Sequence, residues 1–266
     1  MNTLLFDGVA FCLYLTSCFT LIKDITDNHY KKIALLFAWV ALLAHISSLI
    51  YETWIDQGVD FSFFHIASLI SSIITFLLLI ASLSKPVEKL GIALFPIAAL
   101  MLTLDLAFPS SVQTAAHNDS FAMSVHILSS IIAFSLLTIA AFQALLLTLQ
   151  NKQLKNHNPG RLMLAFPSLQ IMESLLFQMI SLGLFFLSAS LISGFVFIDD
   201  LFAQHLVHKT LLSILAWFVF SGLLLGRWRY GWRGKTAIRW TLYGFILLLL
   251  AYFGSKLVLE LILNKT

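Results

Sequence analysis

Long apolar stretches alternate along the whole chain with short polar ones that hold most of its charge. A bilayer core of roughly 30 Å is crossed by about 20 helical residues. On that measure spans are expected at 3–22, 33–51, 61–84, 90–108, 123–148, 174–198, 210–227 and 239–262. Eight helices consume nearly the whole chain. The expectation is therefore an all-α, polytopic membrane helix bundle of about eight transmembrane helices.

Composition agrees with that pattern. Hydrophobic residues make up 59% of the chain and charged residues 11%, against about a quarter charged in ordinary soluble domains. The mean hydropathy is +0.92. The longest connections, 109–122 and 149–173, are too short to fold alone, so residues 1–266 are expected to form a single membrane domain. The polar segment from Asn151 to Arg161, with Pro159-Gly160 as a turn signal, is expected to divide the bundle into two sets of helices.

The distribution of charge matters more than its sum of +3. Lys23, Lys31, Lys32, Lys85, Lys89, Lys152, Lys155, Arg161, Arg227, Arg229, Arg233, Lys235 and Arg239 all fall in the first, third, fifth and seventh loops. The alternate loops hold only Lys209. Short loops rich in Lys and Arg stay cytoplasmic, which predicts an N-out/C-out orientation. Trp228, Tyr230, Trp232, Trp240 and Tyr243 fit an aromatic belt at the inner interface. The cations from Arg227 to Arg239 then report orientation and contact with anionic lipid, not nucleic acid. The first span has no basic n-region and carries Asp7, so it is expected to remain as a helix.

Cys12 and Cys18 both lie in the first span, about 120° apart around a helix. With no CxxC pair and no CxxCH motif, thiol oxidoreductase and covalent c-type haem attachment are excluded. Serines and glycines such as Ser47, Ser48, Ser71, Ser72, Ser129, Ser130, Gly183 and Gly194 suit close helix packing. Asp7, Glu52 and Asp105 sit near outer helix ends and are expected to be solvated interfacial carboxylates. Charges cluster at helix ends instead of the midplane, which argues against solute transport.

The histidines carry the candidate chemistry. His45, His65, His117, His126, His205 and His208 all fall toward the predicted outer face, six of eight in the chain. Neutral imidazoles on facing helices can hold haem iron axially, and membrane helices offer an apolar slot for the porphyrin. His45 lies within a span, where polar groups are costly and usually functional. His117, beside Asn118 and Asp119, is expected to be solvated. From these residues alone, haem binding, another metal and a proton relay all remain open.

The run Leu215-Ala216-Trp217-Phe218-Val219-Phe220, then Gly231-Trp232-Arg233-Gly234-Lys235 and Ala251-Tyr252-Phe253-Gly254, resembles the closing helices of the cytochrome c assembly family of CcsA, CcmC and HemX type. Val125-His126-Ile127, Gln150, Met172-Glu173, Gly183 and Gly194 continue the resemblance in order and spacing. His45 and the segment Ser62 to Ser72 resemble its short HemX/YpjD-like branch. The resemblance implies a protein that handles haem at the outer face, with His126 at the place of the first periplasmic histidine. Lys209 and Trp217 match the end of the family's tryptophan-rich segment. Its core is replaced here by Gln204-His205-Leu206-Val207-His208. The family's intramembrane histidine falls near Leu225 or Gly226, and its second periplasmic histidine near Leu261.

The expected function is a haem-handling inner-membrane protein that holds non-covalent haem b through His126 and His208, with His45, His205 and His65 as further candidates and no covalent chemistry of its own. Its expected partners are haem, the lipid bilayer and other cytochrome c maturation or membrane proteins. The alternative is a cofactor-free structural or regulatory subunit that keeps the fold.

Overall fold

The computed structural model describes residues 2–27, 29–55, 62–108, 121–155, 160, 166–197 and 207–254. Among these are eight long helices and no strand: α1 (Asn2–Asp27), α2 (Lys31–Ile55), α3 (Phe63–Ser84), α4 (Gly91–Ala107, after a 3-10 turn Glu88–Leu90), α5 (Phe121–Lys155), α6 (Leu169–Phe197), α7 (Val207–Tyr230) and α8 (Lys235–Leu249, continued by a π-turn Leu250–Gly254). All eight are long and apolar enough to cross a membrane.

Several helices run past the ends of the apolar stretches. α1 continues through Lys23 and Asp24, α5 begins at Phe121 and continues to Lys155, and α6 begins at Leu169. Apolar length marks where lipid contact stops, whereas the backbone hydrogen-bond ladder continues while its charged side chains find water or a partner. The eighth span was expected to reach 262, of which residues 255–262 lie outside the described residues.

The chain divides into two compact units, with α1–α4 in the first and α5–α8 in the second. The main break falls in the 109–122 connection, although Gly160 and Phe166 of the 149–173 segment group with the first unit. The reason is packing: α5 and α6 form the most extensive helix pair in the chain, directly across that polar segment.

In the first unit α1 packs on α2 and α4, and α3 closes the bundle against α4 and α2. Tyr14, Leu21, Leu42, Leu78, Leu79 and Phe95 fill its interior with side chains less than 2% exposed. Tyr14 stacks on Phe95 with ring centroids 6.0 Å apart. At the end holding the α1–α2 turn, Lys89 pairs with the buried Asp24 carboxylate. Asp24 Oδ1 also accepts the backbone N–H groups of Tyr30 and Lys31, at 2.8 and 2.9 Å. It thereby caps the start of α2 as an N-terminal carboxylate does. Lys31 pairs with Glu88 at 3.1 Å.

In the second unit α5 packs on α6 and α8, and α7 packs on α6 and α8. Gly183 permits the α5–α6 approach: a Cβ there would stand 2.7 Å from Leu137 Cγ. Two buried glutamines of α5 reach backbone carbonyls at the start of α6, Gln143 to Met172 O at 2.8 Å and Gln150 to Pro167 O at 3.0 Å. Such bonds matter where no water competes for the carbonyl. The α7–α8 turn uses Gly231 and Gly234 at φ +64° and +54°, which favours glycine at both.

Trp228, Tyr230 and Tyr243 are exposed, as an interfacial belt requires. Trp232 and Trp240 are instead half-buried and pack on each other, centroids 5.1 Å apart. Many large apolar side chains elsewhere, including Leu5, Leu83, Phe185 and Val196, point outward. Lipid is the solvent such a surface fits.

Candidate functional site

The first unit gathers polar groups from all four helices at the end opposite the Asp24–Lys89 pair. His45, in α2, is fully buried. Its Nδ1 lies 3.3 Å from Tyr14 Oη and its Nε2 3.0 Å from Ser68 Oγ, so both ring nitrogens are engaged. Haem iron would have to displace one of these partners. Tyr14 also meets the imidazole edge-on, centroids 5.9 Å apart.

Nearer the helix ends, His65 Nδ1 lies 3.3 Å from Asp105 Oδ2 and 3.6 Å from Glu52 Oε2. The His65 side chain is 6% exposed, Asp105 13% and Glu52 32%. Asp7, on α1, is buried and faces Ser48 and Asp105. Asp7 Oδ1 and Ser48 Oγ have no hydrogen-bond partner among the described residues. This corrects the expectation of solvated carboxylates for Asp7 and Asp105, whereas Glu52 stays open to solvent. Asp105 turns into the bundle toward the His65 imidazole, a partner that lipid cannot give.

In the second unit His126 stands near the start of α5, half-buried. Its Nδ1 lies 2.8 Å from Ser190 O and 3.4 Å from Ser193 Oγ on α6. Donation of the Nδ1 proton to the carbonyl fixes the ring and its tautomer and leaves Nε2 as a bare acceptor. Histidines that ligate metals are held in this way. A sequence signal for the partners exists in Ser188-Ala189-Ser190 and Ser193-Gly194, of which only Gly194 is singled out above, as a small packing residue. Nine residues along α7 from His208, Trp217 Nε1 donates to Ser188 Oγ at 2.8 Å, pinning α7 to α6.

His208 is exposed in the first turn of α7. His205 and His117 lie outside the described residues, as does Leu261. Lys209, beside His208, has partners of its own.

At the far end of this unit, Glu173 Oε1 accepts the Gly234 backbone N–H at 3.0 Å and lies 3.6 Å from Arg227. Arg227 lies 4.6 Å from the centre of the Phe177 ring. Trp232 rests against Gly226 so closely that a Cβ on Gly226 would collide with the indole. Gly226 therefore has no room for a ligating side chain, and neighbouring Leu225 is 60% exposed.

The profile of the family described as cytochrome C assembly protein matches residues 29–263. This chain belongs to the cytochrome c assembly protein family. It is 32% identical over 248 residues to the inner membrane protein YpjD of Escherichia coli K12, covering 89% of this chain and 90% of that one. It is 22% identical over 252 residues to the protein HemX of Brevibacillus brevis, covering 91% and 92%. An uncharacterized 28.8 kDa protein of Azospirillum brasilense is 34% identical over 144 residues, 53% of each chain. No solved structure gives a significant match. Membership agrees with the HemX/YpjD-like resemblance, and with eight helices among the described residues long and apolar enough to cross a bilayer the chain is a multi-pass inner-membrane protein.

Proposed function

We propose that this protein binds haem b non-covalently at the outer face of the inner membrane, as a haem-handling factor related to cytochrome c assembly proteins and without covalent chemistry of its own. The observation that carries the reading is His126: its Nδ1 is committed to Ser190 O, and its Nε2 has no partner among the described residues. A neutral imidazole so oriented suits an iron ligand. His208, exposed at the start of α7 in the same unit, is the candidate second ligand, with His205 as its neighbour in sequence. Orientation with both termini outside rests on the Lys and Arg distribution. The partners are haem, lipid, and other cytochrome c maturation or membrane proteins.

One observation favours the alternative of a cofactor-free subunit. His45, the intramembrane candidate, already uses both nitrogens in hydrogen bonds, and Trp232 fills the space beside Gly226. Haem titration of the purified protein, followed by its Soret band, separates the two readings. Haem binding predicts a saturable complex that His126→Ala abolishes and His208→Ala weakens. Wild-type-like absorbance in the His126→Ala, His208→Ala double variant eliminates this pair, and protein that takes up no haem supports the subunit.

A further inference from the structure

We propose that Glu52, His65 and Asp105 form a binding site for a zinc-class divalent transition-metal cation, separate from any haem site. Three neighbouring helices of the first unit each supply one ligand: α2 gives Glu52, α3 gives His65 and α4 gives Asp105. One ligand atom from each lies within 4.8 Å of the other two.

The spacing of each carboxylate from His65 suits ligands around a common ion better than it suits direct hydrogen bonds. Metal bonds of about 2.1 Å at a tetrahedral angle place two donor atoms about 3.4 Å apart. Asp105 Oδ2 and Glu52 Oε2 lie 3.3 and 3.6 Å from the same His65 nitrogen. An N–H···O bond is normally about 2.7–3.2 Å, and one ring nitrogen carries at most one proton to donate. An imidazole with two carboxylates favours zinc, ferrous iron or manganese over calcium and magnesium, which prefer oxygen donors alone.

Asp7 supplies an independent observation. Its side chain enters from α1, the fourth helix of the unit, and is only 5% exposed. It faces Asp105, with Oδ1 unpartnered among the described residues. Among the described residues three carboxylates stand around one imidazole, and like charges brought together in a poorly hydrated place are costly. A divalent cation bound by Glu52, Asp105 and neutral His65 cancels the two ligand charges, and Asp7 offers its free oxygen to the same cation or to a water bound on it.

The proposal leaves His65 out of haem ligation and does not depend on haem binding. The test uses the full chain in detergent, purified without a histidine tag and stripped with chelator. Zinc is added under calorimetry, and cobalt is used as a visible probe of coordination. One zinc per chain and a cobalt ligand-field band are expected in the wild type. His65→Ala and Asp105→Asn should abolish both, and Asp7→Asn should weaken zinc binding roughly 10–100-fold. Glu52 is one-third exposed, so Glu52→Gln should keep the metal-free melting temperature while losing zinc affinity at least as severely. The His126→Ala, His208→Ala protein should bind zinc as the wild type does, whatever its response to haem. Absence of zinc binding in the wild type, or binding unchanged by His65→Ala and Glu52→Gln, overturns the site.

Discussion

Trp232 packs its indole onto Gly226 across the α7–α8 turn, leaving no space for a Cβ between them. The Arg227 guanidinium reaches back to Trp232 O at 3.4 Å, and Glu173 holds the Gly234 N–H, so the turn is tied to both α7 and α6. Gly226→Leu should therefore destabilise the protein by about 1–3 kcal/mol, as overpacking does. Thermal unfolding in detergent reads the loss. Melting unchanged from wild type would show that the indole moves aside freely.

Glu173 is the acidic counterpart of that turn. Glu173→Gln keeps an acceptor for Gly234 but removes the charge facing Arg227, whose side chain is 28% exposed. The expected cost is below about 1 kcal/mol, the range of solvent-accessible pairs. Glu173→Ala also strips the acceptor from Gly234 and should cost more. Comparing both variants by chemical denaturation separates the hydrogen bond from the ion pair.

The Asp24–Lys89 pair should behave differently, because both side chains are almost wholly buried. Lys89→Ala leaves a buried carboxylate uncompensated and should cost roughly 3–5 kcal/mol. Lys31→Ala removes a half-exposed cation, whose place water can take, from the buried Glu88 and should cost less than Lys89→Ala. Equal losses in the two variants, measured by denaturant titration, would contradict this assignment.

Tyr14→Phe removes the phenol that meets His45 Nδ1 while keeping the ring that stacks on Phe95. A loss of about 1–2 kcal/mol is expected, one net hydrogen bond plus part of the penalty for a stranded buried group. The haem spectrum should stay unchanged if His126 and His208 hold the iron. A Soret shift in this variant would bring His45 back as a ligand.

Topology has a direct test. Alkaline phosphatase fused after Thr266 should be active, and fused after Lys152 inactive, if the basic loops are cytoplasmic. The reverse pattern would refute the orientation.

Much of the fold was legible because lipid imposes a simple rule: about 20 apolar residues make a span. The ends were less so. Nothing local in the sequence indicates that α1 continues through Asp24, since the stabilising cation comes from Lys89, 65 residues away. The division between α4 and α5 was hidden for a similar reason. Pro159-Gly160 signals a turn, but a turn says nothing of how tightly Leu137 and Gly183 bring their helices together.

The histidines were legible as depth and side, not as partnership. Position alone marked His45 as buried and polar. That Tyr14 and Ser68 occupy its two nitrogens depends on the rotation of three helices about their axes, which apolar periodicity defines poorly when most faces are greasy. Asp105 and Glu52 were placed at the correct helix ends, yet their common neighbour His65 emerges only when α2, α3 and α4 are brought together.

The burial of Asp24 against Lys89 also bears on biogenesis. The carboxylate is translated well before the ammonium group that neutralises it, and α2 and α3 must emerge in between. Release of α1 into the lipid on its own would strand an unpaired anion, so the nascent segments gain by remaining near the insertion machinery until the fourth arrives. A single ion pair thus favours insertion of the first four helices as a group.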